Sequence, residues 1–375
     1  VSTPAARGAG VHLPGLDGLR GAAALVVVVG HAFAALFVNT HVGVVVALGI
    51  PARGAVILFF VLSGFVIAGS IRADLAAGGF SFIRFGLNRM TRIYPPFLLA
   101  LVLAWSVAAL RQEDLIRSVQ PFVAEPMNLS AINFLRDALF LYGSGTPMQN
   151  ANAPVWSLRI EVVCYLVSAL LALAATAPGL PRAAALAAAL VLTAAAILRL
   201  DSAILGFAAF AAGAFAAFVP RLRNAAPLAL GGALALALMA FASISALVAE
   251  DPVSIVRGLL FHVFQAATIC ASALLVASAS DERSGAARWA ARLAPLAPFS
   301  YTLFITHVPL IALTLGVFPE PAAIWARIIA AISMVAWAVA FAAAGGALVE
   351  QHQKLRRWLA ARPPFDGLLA WDRRR

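Results

Sequence analysis

Ten long apolar runs, separated by prolines and arginines, dominate this chain. They lie at about 21–38, 53–71, 94–110, 154–174, 183–199, 202–219, 227–248, 253–278, 298–317 and 322–349. A helix needs roughly 20 apolar residues to cross a bilayer, and these runs come close to that length. Pro51, Pro154, Pro220, Pro227, Pro252, Pro298 and Pro319 stand at or near the proposed ends. There the missing N–H and the ring's clash with the preceding turn would stop a helix. The composition agrees, with 63% apolar and 11% charged residues, against about 45–50% and about 25% in soluble domains. An ordinary soluble enzyme, a disordered chain and a disulfide scaffold are excluded. Lipid offers the backbone no hydrogen-bond partner, so the spans must be helical. The expected fold is an all-α, polytopic integral membrane protein with about ten transmembrane helices. One transmembrane domain is expected over 1–375, with a short cytoplasmic segment at 1–20 and a basic cytoplasmic tail at 350–375.

The net charge of +11 fits that fold better than it fits nucleic-acid binding, because basic residues collect in cytoplasmic loops. With the N-terminus inside, nineteen of the 27 basic residues fall in inner segments. An even number of spans then puts both termini in the cytoplasm, in a cell membrane. The segment 72–93 is not read as a span. Phe82, Phe85 and Ile93 alternate there with Arg84, Arg89 and Arg92, a pattern expected of a cytoplasmic interfacial helix. The longest outer loop, 111–153, is expected to fold over the outer mouth. Cys164 and Cys270 lie in apolar runs, where a bridge is not expected.

Ionisable groups inside a bilayer are costly and mark functional sites by default. His31, Arg159, Glu161, His262 and His307 qualify. Helical rise puts His31 about 16 Å and His307 about 13 Å from the inner edge, and Glu161 about 10 Å from the outer one. In a hydrocarbon core about 30 Å thick, these three share the middle, which suggests one polar cavity. An imidazole can take a proton from a hydroxyl near neutral pH, and a carboxylate can orient it. That chemistry suits acyl transfer to an alcohol. The same buried groups suit a proton-coupled transporter, though no inverted repeat is evident. Arg89 and Arg92, three apart, share a helix face. With Arg84 they form a guanidinium cluster suited to phosphate. No metal site is expected.

Five segments occur in order: GLDGLRGAAALVVVVGHAF (15–33), FFVLSGFVI (59–67), FGLNRMTRIYPPF (85–97), PVWSLRIEVVCYL (154–166) and FSYTLFITHVPL (299–310). Together they resemble acyltransferase family 3, a family of integral membrane proteins, over essentially the whole chain. The resemblance implies an acyl-CoA donor, most often acetyl-CoA, bound from the cytoplasm. It implies as acceptor a hydroxyl of a carbohydrate or a glycosylated product. Arg20 and His31 match the family's Arg and His ten residues apart, and that His is regarded as catalytic. Arg89 and Arg92 match its Arg-x-x-Arg motif for the donor, with Ser63, Gly64 and Phe65 in a second-span motif. Glu161 matches the acidic residue after Trp-Ser-Leu, and Tyr301 and His307 match the ninth-span motif. The resemblance thus implies His31, Glu161 and His307 as catalytic residues. Arg20, Arg84, Arg89, Arg92 and Ser63 are expected at the donor, and Trp156 and Tyr301 at the substrate. Many relatives carry a second acidic residue where this chain has Val162. Many also carry an extracellular esterase-like domain, which is not expected here.

Overall fold

A computed structural model describes residues 13–116, 127–143, 145–200, 202–218 and 254–365. Its helices are α1 (Pro14–Phe37), α2 (Val42–Ala76), α3 (Phe82–Gln112), α4 (Ala131–Ala138), α5 (Pro147–Asn150), α6 (Trp156–Thr176), α7 (Gly179–Arg199) and α8 (Ala203–Ala216). They continue as α9 (Ser254–Ala279), α10 (Gly285–Ala291), α11 (Ser300–Val317), α12 (Ile324–Val349) and α13 (His352–Ala360). Among the described residues, eight helices are long and apolar enough to cross a membrane. Helix α8, where a span was expected at 202–219, has only 14 residues, or about 21 Å. The run at 227–248 lies outside the described residues. Large apolar side chains point outward, with Leu190 70%, Leu198 80% and Leu348 78% exposed. Water would penalise such faces and lipid would not.

Two expectations are corrected. Pro51 lies inside α2, and Pro95 and Pro96 lie inside α3. A proline removes one helical hydrogen bond, but apolar surroundings offer the remaining backbone groups no better partner, so the helix continues. No separate interfacial helix occupies 72–93. Helix α2 runs on to Ala76, a turn follows with Gly78 at φ 102°, and α3 starts at Phe82. Ser81 caps it, its hydroxyl accepting from the Arg84 N–H at 3.0 Å. The uninterrupted 31 residues of α3 span about 46 Å, more than a hydrocarbon core of about 30 Å.

Close backbone contacts set the packing. Gly15, Gly18 and Gly21 share one face of α1. A Cβ on Gly18 would stand 1.7 Å from Ala290 O, and one on Gly15 2.5 Å from Ala279 O. The glycine-rich opening motif therefore lets α1 lie against α10 and its flanks. Gly64 and Gly213 do the same for α2 and α8, where an added Cβ would meet Phe210 O or Val61 O at 1.9 Å. Two apolar clusters result. Val27, Phe97, Leu303, Val308 and Ala338 join α1, α3, α11 and α12. Ile57, Val61, Ile160, Phe210 and Val276 join α2, α6, α8 and α9.

The segment before α6 enters the bundle instead of lying over it. Tyr142, Thr146, Met148, Ala151 and Asn152 are all 0% exposed. Asn152 Nδ2 donates to Ile305 O at 2.8 Å, more than a turn into α11. Tyr142 Oη donates to Val155 O at 2.7 Å, and Arg159 donates to Tyr142 O. Irregular backbone at such depth is tolerated only when protein surrounds it. Asp137 fastens the segment, its Oδ2 accepting from Trp105 Nε1 and from Met148 N, each at 3.0 Å.

Candidate active site

A cavity of about 120 Å³ lies where the two apolar clusters meet. Helix α1 contributes Asp17 and Arg20, α2 contributes Phe59 and Ser63, and α3 contributes Arg89 and Arg92. Helix α6 adds Ser157, Glu161 and Tyr165, and α11 adds Tyr301 and Phe304. Whole-ligand pockets usually measure about 300–1,000 Å³. This one suits the reacting end of a ligand whose body lies outside it.

Three guanidinium groups line it, those of Arg20, Arg89 and Arg92. Arg20 Nη2 pairs with Asp17 Oδ1 at 3.0 Å, and its Nε donates to Ser300 Oγ at 3.1 Å. Arg89 lies 5.4 Å from the Phe85 ring centroid and 5.9 Å from that of Tyr165, within cation–π reach. Its buried Nε has no hydrogen-bond partner among the described residues. Such an orphan donor is costly to bury and would be satisfied by an anionic oxygen.

Facing the arginines is a compact oxygen cluster. Ser63 Oγ donates to Glu161 Oε1 at 2.8 Å and lies 2.9 Å from Tyr165 Oη. Tyr165 Oη donates to the same carboxylate oxygen at 2.5 Å. Tyr165 follows Glu161 by one helical turn, so both side chains share a face. That spacing was the signal for Tyr165, which the sequence reading did not single out. The buried hydroxyl of Tyr301 has no partner among the described residues.

The two histidines meet, but not in this cavity. His307 Nε2 lies 3.2 Å from His31 Nδ1, and the ring centroids are 5.0 Å apart. His307 Nδ1 faces Phe304 O at 2.7 Å, so that nitrogen carries the proton and Nε2 accepts. His31 Nδ1 faces both that Nε2 and Val27 O, the latter at 3.0 Å. Its proton therefore sits on Nδ1, which leaves Nε2 as the basic nitrogen of His31. Neither ring lines the cavity. Phe304 does, 6.2 Å from His307 and 5.0 Å from Phe59 by ring centroids. The expected single pocket is thus only partly formed: the histidine pair stands off the cavity that holds Glu161, with Phe304 touching both.

Other singled-out residues lie elsewhere. Arg84 is off the cavity, paired with Asp74 at 3.0 Å and 49% exposed. Trp156 packs 6.3 Å from Phe60 outside the lining. Cys164 is buried, Cys270 and His262 are exposed, and neither cysteine is bridged. Glu350 went unnoticed in the sequence. Its Oε1 accepts from Thr302 N at 2.9 Å and from Thr302 Oγ1 at 2.6 Å. It thereby satisfies the start of α11 from the end of α12.

Apolar spans around a cavity lined by basic and acidic side chains define a multi-pass membrane protein with ionisable groups inside its helix bundle. A family model described as an acyltransferase domain matches residues 13–343. The chain belongs to acyltransferase family 3 and is a membrane acyltransferase. No curated protein and no solved structure matches it.

Proposed function

We propose that the protein is an O-acyltransferase of the cell membrane with both termini cytoplasmic. It takes an acyl group, acetyl by family default, from cytoplasmic acyl-CoA. It passes this group to a hydroxyl of a carbohydrate or glycosylated acceptor arriving from the other side. The observation that carries the reading is the convergence of Arg20, Arg89 and Arg92 on the cavity that holds Glu161 and Ser63. Guanidinium groups recognise phosphate oxygens by paired, charge-assisted hydrogen bonds, and CoA offers such phosphates beside a thioester. His31, with its proton fixed on Nδ1, takes the acceptor's proton on Nε2. His307 orients it. Glu161 orients or polarises the reacting groups. Arg84 contributes to the basic approach, and Tyr301 and Trp156 to the substrate's surroundings.

Purified protein with His31→Ala should bind acetyl-CoA normally yet lose turnover by about 10²–10⁴-fold, the usual worth of a general base. Full turnover in that variant would end the proposal. Arg89→Ala with Arg92→Ala should weaken acetyl-CoA binding, and unchanged affinity would remove the donor site. A proton-coupled transporter would instead accumulate solute in vesicles without releasing CoA.

A further inference from the structure

We propose that Ser63 is an acyl carrier, so that the acyl group crosses the protein in two steps. The inference rests on the acyl-CoA donor proposed above. Ser63 shares its cavity with Arg20, Arg89 and Arg92, whereas His31 and His307 do not line that cavity. A thioester entering beside the arginines therefore meets the Ser63 hydroxyl before it meets either imidazole. That hydroxyl already donates to a carboxylate oxygen at 2.8 Å, the arrangement of a nucleophile beside its general base. Tyr165, donating to the same oxygen, fixes the carboxylate. Tyr301 brings a buried O–H with no acceptor among the described residues, a donor available to an oxyanion formed in the cavity.

The steps balance. In the first, Ser63 Oγ bonds to the thioester carbonyl carbon while Glu161 takes the hydroxyl proton. The carbon–sulfur bond breaks, Glu161 gives the proton to the sulfur, and free CoA leaves an ester on Ser63. In the second, the acceptor oxygen bonds to the acyl carbon and its proton goes to His31. The bond to Ser63 Oγ breaks, and the imidazolium returns the proton to that oxygen. The ester stands one helical turn along α2 from Phe59, whose ring meets Phe304 at 5.0 Å.

Isotope exchange tests this without knowledge of the acceptor. Full-length protein is incubated with acetyl-CoA and tritiated CoA, and binding of acetyl-CoA is measured in parallel. A carrier predicts transfer of tritium into acetyl-CoA with no acceptor present. Ser63→Ala should bind acetyl-CoA but fall to background exchange. Ser63→Cys should retain exchange and hold acetyl as a hydroxylamine-labile thioester. His31→Ala should keep exchange while losing transfer to acceptor. Exchange undiminished in Ser63→Ala would overturn the proposal, as would wild-type protein that binds acetyl-CoA and gives no exchange. Wild-type protein that does not bind acetyl-CoA would overturn the donor reading, and this carrier with it.

Discussion

The hydrogen bonds of His31 and His307 give the two imidazoles different weights. His31 Nδ1 has Val27 O as an acceptor besides His307 Nε2. Removing His307 therefore leaves the His31 proton a partner on the same nitrogen, and the base keeps its tautomer. His307→Ala should lower kcat less than His31→Ala does, with KM for acetyl-CoA unchanged in both. A His307→Ala enzyme as slow as His31→Ala would show that His307 acts on substrate directly. The meeting of these residues was legible in part. Helical rise from the ends of the apolar runs put His31, Glu161 and His307 at one depth, and two of the three do touch. It could not show that the histidines stand off the cavity that holds Glu161, because depth along a helix says nothing about which face a side chain takes. Ser63 carried a motif but no charge, so nothing in the sequence marked its bond to Glu161.

Whole helices depend on a few contacts of backbone against backbone. An alanine at Gly64 would drive its Cβ into Phe210 O, and neither helix can yield without the other. Gly64→Ala should lower thermal stability by about 1–3 kcal/mol or more, as overpacking does. Gly69→Ala, which meets nothing within 4 Å, should not. Melting in detergent separates the two, and equal losses would contradict the packing described. The buried segment before α6 hangs on Asp137, outside the spanning helices. Burial raises the pKa of this carboxyl, outweighing the hydrogen bonds it accepts. The folded state therefore binds its proton more tightly than the unfolded chain does. Its contribution is complete below about pH 4, the ordinary carboxylate value, and is lost as pH rises through the raised value. Asp137→Asn should flatten that decline, while Asp137→Ala should cost about 1–3 kcal/mol by leaving Trp105 Nε1 and Met148 N without an acceptor. A melting temperature in wild-type protein that rises over the same range, with no change in slope in Asp137→Asn, would contradict this account. The sequence marked most spans to within several residues. It misplaced the start of α2 because a proline's effect depends on whether water can replace the lost bond, and that of α3 because arginines alternating with apolar residues read as a separate interfacial helix. It read the segment before α6 as a surface loop because mixed polarity looks the same whether water or protein satisfies it.

For the molecule as a whole, the helix that follows α12 packs back toward the arginines. Arg356 donates to Asn88 Oδ1 at 3.0 Å, next to Arg89. Arg20, near the start of α1, is bonded to Ser300 and pairs with Asp17 at that same end. The described chain therefore begins and finishes at the end of the bundle where the guanidinium groups gather, as the charge distribution requires if that end is cytoplasmic. A reporter active only in the cytoplasm, fused after Arg375, should be active. Activity only from a periplasmic reporter would invert the molecule and put the donor site on the wrong side. On the proposed function, an acyl group moves from CoA to an envelope hydroxyl. Mass spectrometry of cell-envelope glycans tests it most directly, comparing cells that express the wild type, His31→Ala or no protein. A glycan should gain one acyl group in the first and lack it in the other two. Identical spectra in all three would contradict it.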